Sequence, residues 1–447
     1  MQAKQHAHIE TFGCQMNERD SEIMAQTLGA DYQLGGGIEE ADLVIVNTCS
    51  IREKAEQKAF SLLGRLRRMK KERPELLIVV AGCVAQQEGS GLRHRMPHVD
   101  VVVGPQQIYQ LPQLLEKARL RKTSIATDLR ADFRIPRFLP DLRSGSTFKR
   151  FVTIMQGCNN FCSYCVVPYT RGREISRNEE DILAEIRHLA SHGIREVTLL
   201  GQNVNSFGRD RAGSPSFAAL LRRVAAIEGI DRIRFTTSHP KDLSTELMRC
   251  FADLPKLCPH FHLPVQSGSN RILSLMNRGY AIEAYLDKVE ELRGFRPDIA
   301  LTTDIIVGFP GESEDDFLQT MAVLERVRYH GAFSFKYSDR PKARSAGFAD
   351  KVAEEEKGRR LEILQKRQEE ISLERLREWL GRELTVMVEG ESRTAGGQCS
   401  GRTERNQIVN FTGDTTPLLP GQLVRVRIEE VCLHSLRGSL VAGIEIP

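Results

Sequence analysis

Three cysteines at short spacing, Cys158, Cys162 and Cys165, are the residues of this chain best suited to chemistry. They read Cys-x3-Cys-x2-Cys directly after a predicted strand at 151–156, and no fourth cysteine is near in sequence. Iron–sulfur clusters are held by cysteine thiolates, usually four for a four-iron cluster, so three ligands leave one iron open. We therefore predict that this central trio holds a [4Fe-4S] cluster that binds a small molecule. A zinc site, which needs a fourth protein ligand, is the alternative.

A second set, the N-terminal trio of Cys14, Cys49 and Cys83, is spaced by 35 and 34 residues. Each member closely follows one of three predicted strands, at 8–12, 42–46 and 75–81. Because the carboxyl ends of parallel strands meet at one edge of a sheet, the three thiols can converge and form a second metal site. Small side chains that only pack in the core are the alternative. The remaining cysteines show no ligand spacing and are expected to pack: Cys250, Cys258, Cys399 and Cys432.

The elements that carry these thiols belong to a chain of 447 residues, long enough for two or three domains. A hydrophobic content of 40%, a charged content of 27% and a net charge of +4 are ordinary for a globular protein and exclude a polycation. No apolar run approaches the ~20 residues of a membrane helix, and the first residues lack the apolar core of a signal peptide. We expect a cytoplasmic location and no membrane partner.

Three regions with different patterns predict an α/β multidomain protein. Residues 1–125 alternate short apolar strands with charged helices, which predicts a parallel sheet. Residues 126–144 are predicted as a linker, and residues 145–376 as a partial (βα)6 TIM-like barrel. Residues 377–447 predict a small OB-like β-barrel with Gly-rich turns. The predicted strands of the last two domains are 151–156, 196–201, 231–237, 260–265, 301–307, 332–337, 384–388, 407–411 and 423–428.

The central trio, with Tyr164 before its last cysteine, resembles the radical S-adenosylmethionine superfamily, in which the open iron chelates S-adenosylmethionine. Two cysteine trios and three domains in this order resemble the methylthiotransferase branch of that superfamily, whose C-terminal RNA-binding barrel is called TRAM. The resemblance is closest to the tRNA-modifying members of the branch. It rests on TFGCQMN at 11–17, NTCSIRE at 47–53, AGCVAQ at 81–86, CVVPYTRG at 165–172, SHPK at 238–241, GRTERN at 401–406 and HSLRG at 434–438.

The resemblance implies two [4Fe-4S] clusters, with the six cysteines of the two trios as ligands, and S-adenosylmethionine as cofactor. It implies no catalytic residue beyond those ligands. The implied contacts to S-adenosylmethionine are Tyr164, Gln202, Asn203, Gln266, Ser267, Gly268, Val307 and Gly308. The chain departs from the usual pattern where Glu312 falls one place late, and where Lys342-Ala-Arg344 replaces the usual Gly-Thr. The sequence assigns no role to Glu312 or to that loop.

The implied activity replaces the C2 hydrogen of N6-isopentenyl-adenosine-37, beside the tRNA anticodon, with a methylthio group. S-adenosylmethionine would serve both as methyl donor and as radical source. The implied partners are the tRNA anticodon stem-loop and a small electron-transfer protein, and we expect a monomer. Residues 121–177 hold eleven Lys and Arg against four acidic residues, and a second basic cluster spans 65–73; both patterns are typical of phosphate binding.

Two other functions fit parts of the sequence. An enzyme of the same branch that methylthiolates an aspartate of a ribosomal protein would carry the same cysteines, and the CVVPYTRG run at 165–172 and the TRAM barrel favour tRNA over it. A non-catalytic iron–sulfur sensor that binds RNA is the alternative from another class. The residues of the terminal barrel, 381–447, carry seven Arg and eight acidic residues, so charge alone does not predict RNA binding there.

Overall fold

The computed structural model describes residues 4–50, 53–120, 123–142, 146–392, 396–412 and 418–441. The predicted stretch 47–53 and the predicted linker 126–144 therefore lie partly outside the described residues. The helices are α1 Gln15–Thr27, α2 Glu53–Glu72, α3 Cys83–Glu88, α4 Ser90–Arg95, α5 Leu111–Arg119, α6 Val167–Thr170, α7 Glu179–Ser191, α8 Phe217–Ala225, α9 Thr245–Asp253, α10 Asn270–Leu275, α11 Ile282–Phe295, α12 Glu314–Val327 and α13 Glu354–Arg377. None of these described helices is long and apolar enough to cross a membrane.

The strands form two parallel assemblies and one closed barrel. They are β1 Gln5–Thr11, β2 Tyr32–Leu34, β3 Leu43–Thr48, β4 Leu77–Gly82, β5 Val101–Val103, β6 Ser124–Ala126, β7 Lys149–Thr153, β8 Met155–Gln156, β9 Ile175–Ser176, β10 Glu196–Leu200, β11 Arg232–Thr236, β12 His260–His262, β13 Ala300–Val307, β14 Gly331–Lys336, β15 Glu383–Glu391, β16 Cys399–Thr403, β17 Ile408–Thr412, β18 Leu423–Val431 and β19 Ser435–Leu440.

The N-terminal domain is a six-stranded parallel sheet of order β2-β1-β3-β4-β5-β6. The predicted parallel sheet is confirmed, and the three predicted strands are its neighbours β1, β3 and β4. β3 and β4 are buried throughout because helices cover both faces of the sheet, which explains their unbroken apolar runs. The unpredicted strands β2, β5 and β6 have three residues each, too few to show a pattern in the sequence. The sheet ends at Ala126, and the boundary at 125 remains a prediction.

The central domain is a half-barrel of six parallel strands in the order β7, β10, β11, β12, β13, β14, and the predicted six strand–helix units are confirmed. An isolated parallel bridge between Ile233 and Leu257 joins its two three-stranded halves. Alternate side chains of the strands pack outward on the helices in one large apolar core. The predicted strand at 151–156 is divided, because β8 leaves the barrel and pairs antiparallel with β9.

The C-terminal domain is a closed barrel of order β15-β16-β17-β19-β18, which confirms the predicted small β-barrel. Two buried arginines of β11 form hydrogen bonds between the half-barrel and this closed barrel. Arg232 donates to the carbonyls of Arg402 (2.7 Å) and Thr385 (3.1 Å), and Arg234 donates to those of Glu404 and Thr403 (both 2.9 Å). The turn that contains the GRTERN run therefore faces the half-barrel.

Candidate iron–sulfur and substrate site

The N-terminal trio lies at the carboxyl edge of the N-terminal sheet, at three adjacent strand ends. Cys14 precedes α1, Cys49 follows β3, and Cys83 is the first residue of α3. The strand register pairs Thr11 with Asn47 and Thr48 with Gly82, so the chains leave the sheet side by side. The predicted convergence of these strand ends is confirmed, although the role of the thiols as ligands remains a proposal.

The thiols of this trio influence one another. A hydrogen bond with the Cys49 thiol, aided by the nearby Arg171 guanidinium, lowers the pKa of Cys14 to about 6, while burial opposes the change. Burial raises the pKa of Cys83, and Arg171 counteracts that effect. Thiolates are the form that binds iron, and a nearby guanidinium favours them.

Gly13 sets the backbone path into the N-terminal trio. Its φ is +118°, and a Cβ at this position would lie 2.2 Å from Cys49 Cβ and 2.8 Å from Cys49 Sγ. We expect Gly13→Ala to displace Cys49 and to lower the iron content of the reconstituted protein by up to about four atoms per chain. Iron and acid-labile sulfide analysis measures the loss.

Gly35→Ala is the matched control, because Gly35 has a φ of +110° but no atom within 4 Å of an added Cβ. It imposes similar backbone strain without touching a cysteine, so its iron content should equal that of the parent protein. Full iron content in the Gly13→Ala variant would contradict the proposed position of the cluster.

Arg171, from the loop after the central trio, reaches into the N-terminal trio. Its side chain is 3% exposed, and its Nη2 donates to Asp20 Oδ2 (2.6 Å) and Asn17 Oδ1 (3.0 Å). Its Nη1 is buried without a hydrogen-bond partner among the described residues, in the neighbourhood of the Cys14 and Cys83 thiols. A buried donor without a partner is costly, so it indicates that a further acceptor belongs at this site.

The central trio lies on a loop at the carboxyl end of the half-barrel. Gln202, two residues after the end of β10, accepts a hydrogen bond from the backbone N–H of Gly157 (2.6 Å). The Cys165 backbone N–H donates to the carbonyl of Cys162 (2.9 Å), and the Cys165 thiol accepts from the N–H of Val167 (3.5 Å). These bonds hold the loop as one tight turn over the strand ends.

Two further side chains surround the Cys162 sulfur. The buried Arg278 donates from Nη1 to Cys162 Sγ (3.4 Å) and to the hydroxyl of Tyr164 (3.4 Å), and from Nη2 to the Pro264 carbonyl (2.6 Å). His239 Nε2 lies 3.9 Å from the same sulfur, and burial, with Arg278 adding to it, lowers the pKa of His239 to about 2. The imidazole is therefore neutral at physiological pH.

Burial is the main cause of the pKa shifts of the other two thiols of the central trio, Cys158 and Cys165. It raises the pKa of Cys158 to about 11 and that of Cys165 to about 12, and the neighbouring Cys162 adds to both shifts. Cys158 and Cys165 thus both respond to the charge of Cys162, as expected for thiols on one tight turn. Without a cation to bind, such thiols stay protonated; a metal ion reverses this balance.

The donor set of each trio, three cysteine thiols, is the one that a [4Fe-4S] cluster with one open iron takes. No group of three or more His, Cys, Asp and Glu side chains in the described ranges is arranged to hold one metal ion. A cubane binds its thiolates through different irons, so its ligands stand farther apart than those of one ion. A buried guanidinium beside each trio, Arg171 or Arg278, offsets the negative charge that thiolates and cluster bring into the protein.

The residues predicted to contact S-adenosylmethionine line the same end of the half-barrel. Asn203 is buried, its Nδ2 donates to Asp242 Oδ2 (2.7 Å), and its Oδ1 has no partner among the described residues. Gln266 continues the pairing of its strand at a φ of +73°, and such strained backbone is common at functional sites. Their contacts with the cofactor remain predictions.

Three of the predicted contacts also have partners within the fold. The Gly268 N–H donates to Thr320 Oγ1 (2.9 Å), and a Cβ on Gly268 would lie 2.4 Å from the Gln319 carbonyl oxygen of α12. The Ser267 hydroxyl lies 3.4 Å from Thr320 Oγ1. Val307 is buried in the apolar core. The absence of a side chain at Gly268 thus lets its backbone lie close to helix α12.

Glu312 has a structural explanation in this fold. Its carboxylate is 2% exposed and accepts from the N–H of Gly308 (2.8 Å) and from Arg360 Nη1 (2.8 Å), so it fixes the turn after β13. The loop with Lys342-Ala-Arg344 lies against the central trio, because the N–H of Ser345 donates to the Ser163 carbonyl (2.9 Å). Glu312 and the Lys342-Ala-Arg344 loop, the two departures from the family pattern, therefore both lie at the carboxyl end of the half-barrel.

A cavity of about 1020 Å³ opens between the three domains. The N-terminal domain contributes residues beside Cys14, the half-barrel contributes inward side chains of its strands, and the TRAM-like barrel contributes two residues. Among the residues that line it are Thr11, Gln15, Thr198, Thr236, His260 and Asn406. Its walls carry the cations Arg19, Lys149, Arg150, Arg234 and Arg402 against the acids Glu18, Glu22 and Glu196. Its size and the charged side chains in its wall are compatible with a nucleotide.

Basic residues outside this cavity are found on α2 and on the terminal barrel. On α2, Arg65, Arg67, Arg68 and Lys71 are exposed, whereas Lys70 and Arg73, the residue after the helix, form ion pairs with acidic residues. On the terminal barrel, Arg425 and Arg427 pair with Glu383, and Arg437 pairs with Glu430. Of these two elements, α2 rather than the terminal barrel therefore offers exposed cations to a polyanion, in agreement with the charge count of the terminal barrel.

Several residues of the site were not assigned by the sequence. Arg171 and His239 lie in the CVVPYTRG and SHPK runs, which drew attention to them without a role. Asn17 and Asp20 face the N-terminal trio from α1, and only Asn17 lies within a motif run. Arg278 follows α10 in a loop without any local pattern, so only the folded chain reveals it.

Three family descriptions match the chain in sequence. Residues 6–104 match "Uncharacterized protein family UPF0004", residues 152–324 match "Radical SAM superfamily", and residues 377–441 match "TRAM domain". These ranges cover most of the N-terminal sheet, most of the half-barrel and the closed barrel, in that order.

Curated relatives match almost the whole chain. The tRNA-2-methylthio-N(6)-dimethylallyladenosine synthase of Desulfotalea psychrophila is 53% identical over 97% of this chain and 98% of its own length. The protein of the same name from Pseudomonas paraeruginosa is 48% identical, with the same coverage of both chains. Among solved structures, the radical S-adenosylmethionine methyltransferase TsrM of Kitasatospora setae superposes with a TM-score of 0.59 at 13% identity, covering 77% of this chain and 75% of that one. That likeness is one of fold.

Proposed function

The chain belongs to the tRNA-2-methylthio-N(6)-dimethylallyladenosine synthase family, and we propose that it makes the product that this name states. It replaces the hydrogen on C2 of N6-isopentenyl-adenosine-37, beside the anticodon of a tRNA, with a methylthio group. The observation that carries this proposal is Arg171, which follows the central trio in sequence and lies against the N-terminal trio in space. One domain junction thus joins two thiol trios, as a reaction that uses two clusters requires.

The two cysteine trios would each hold one [4Fe-4S] cluster, and the carboxyl end of the half-barrel would hold S-adenosylmethionine. When bound, these groups supply the electron, the methyl group and the radical chemistry that an aromatic C–H bond demands. Arg278 and Arg171 would donate hydrogen bonds toward the two clusters and compensate their negative charge. Gln202 would hold the cysteine loop against β10, so that its sulfurs keep one orientation.

We propose the anticodon stem-loop as the RNA partner. The cavity between the domains would accept the part of the RNA loop next to the modified nucleotide, and its two half-exposed cations, Lys149 and Arg402, would face the phosphates. A base that leaves the stack is the usual target of proteins that read RNA loops. The exposed arginines of α2 offer a second contact for the stem. We further propose that the protein works as a monomer in the cytoplasm, where a small electron-transfer protein reduces it.

The test uses anaerobically reconstituted protein with S-adenosylmethionine, a reductant and one of two substrates. One substrate is a stem-loop that carries N6-isopentenyl-adenosine, and the other is a ribosomal protein that carries the aspartate target. We expect methylthiolation of the stem-loop alone. Activity on the protein substrate alone would overturn the proposal, and formation of no 5′-deoxyadenosine by protein with intact clusters would support a non-catalytic sensor.

A further inference from the structure

Two phenylalanines of the last half-barrel strand point into the lumen. In the parallel register, Phe333 pairs with Asp304 and Phe335 with Ile306, and paired residues share one face of the sheet. The opposite face of β14 is the outer one, because Ser334 Oγ accepts a hydrogen bond from Gln365 of α13 (3.2 Å). His262 confirms the inner face, since its ring lies 6.0 Å from that of Phe333.

Both rings are unusually exposed for aromatic side chains inside a barrel. Phe333 is 57% and Phe335 is 45% exposed, and within the described part of the chain β14 pairs with no strand on its other side. Two neighbouring rings on a concave inner wall form an apolar patch that a soluble protein retains for a partner or a ligand. Phe335 also lies toward the carboxyl end of the half-barrel, where the predicted cofactor contacts are, because its partner Ile306 is the last residue but one of β13.

Polar groups beside the patch match an adenine that carries an apolar branch. Asp304, the register partner of Phe333, offers a carboxylate, and its Oδ1 lies 3.5 Å from His262 Nε2. An N6-prenylated adenine has one remaining N6–H, which a carboxylate accepts, and a branched five-carbon chain next to it. The two phenylalanines, two residues apart on one strand, are spaced to contact such a chain along its length.

We propose that Phe333 and Phe335 bind the dimethylallyl group of the substrate and so make the enzyme select prenylated over unmodified adenosine. This inference rests on the proposed function, because that function supplies the prenylated base. Asp304 acts beside them as the acceptor for N6–H. Loss of apolar contacts in a specific pocket changes selectivity by about tenfold or more.

The experiment measures binding of two labelled anticodon stem-loops by fluorescence anisotropy, with the reconstituted protein held anaerobically. The stem-loops differ only in N6-dimethylallyladenosine or adenosine at the target position. We expect the parent protein to bind the prenylated stem-loop more tightly. The Phe333→Ala/Phe335→Ala variant should lose at least about tenfold of that preference, with unchanged affinity for the unmodified stem-loop.

Two variants separate this effect from general damage. Phe333→Leu/Phe335→Leu keeps apolar side chains and should retain most of the preference. Leu318→Ala removes a side chain that is 54% exposed on α12 and should leave binding of both stem-loops unchanged. Iron content and melting temperature equal to those of the parent confirm that each variant is folded.

Two outcomes would overturn the inference. A preference that survives both alanine substitutions would place the dimethylallyl group elsewhere, and an equal loss of affinity for both stem-loops would mean that the rings stack on the base instead. Failure of the proposed function has a different signature: the parent protein would then form no methylthiolated product from the prenylated stem-loop, whatever its affinity.

Discussion

Simultaneous replacement of Cys14, Cys49 and Cys83 by alanine lowers the iron content from about eight to about four atoms per chain in anaerobically reconstituted protein. The reason is that these thiols end three adjacent strands of one sheet and supply one complete set of ligands. The variant should still form 5′-deoxyadenosine from S-adenosylmethionine, since the central trio is intact. It should form no methylthiolated product.

The reciprocal variant, with Cys158, Cys162 and Cys165 replaced by alanine, should also retain about four iron atoms but lose 5′-deoxyadenosine formation. Cys399→Ala/Cys432→Ala is the control, because both residues are half-buried free cysteines of the terminal barrel. It should keep about eight iron atoms. Unchanged iron in the first variant, or zinc in place of iron, would contradict the assignment of the N-terminal trio.

The second large effect concerns Arg171, which belongs to the half-barrel but lies against the N-terminal trio. In protein that lacks the central trio, Arg171→Met should weaken retention of the remaining cluster by roughly 10–100-fold, because a partner of the ligands is lost. It should also lower the free energy of unfolding by about 3–5 kcal/mol, because it leaves the buried Asp20 without its cation. Iron release to a chelator and denaturant unfolding measure the two effects.

Arg171→Met/Asp20→Asn separates these two effects. Removal of both charges leaves no buried, unpaired ion, so the stability should largely recover. Retention of the cluster should not recover, because the introduced amide does not replace the guanidinium that faces the thiols. Recovery of both properties would mean that Arg171 stabilises the domain junction without acting on the cluster.

Those strands whose apolar residues form a continuous local run were predictable from the sequence. The six half-barrel strands and the strands β1, β3 and β4 were predicted because each is a short apolar run. β16 and β19 were missed because Ser, Gly and Arg interrupt their patterns. They are held by pairing around a closed barrel, which no local pattern reports.

The same limit applies to the site. The central trio has a local spacing, and the N-terminal trio was predictable only after a sheet had been assumed. Arg171 and Arg278 act through contacts with residues more than 100 positions away in the chain, so their roles required the folded structure. Phe333 and Phe335 were part of a predicted strand, but their exposure depends on the half-barrel being open beside β14.

The most direct test of the proposed activity is mass spectrometry of tRNA nucleosides from cells with and without this protein. We predict that cells without it accumulate N6-isopentenyl-adenosine and lack its 2-methylthio derivative, and that the intact gene restores the derivative whereas the N-terminal trio variant does not. Unchanged levels of the methylthio nucleoside after loss of the protein would contradict the account.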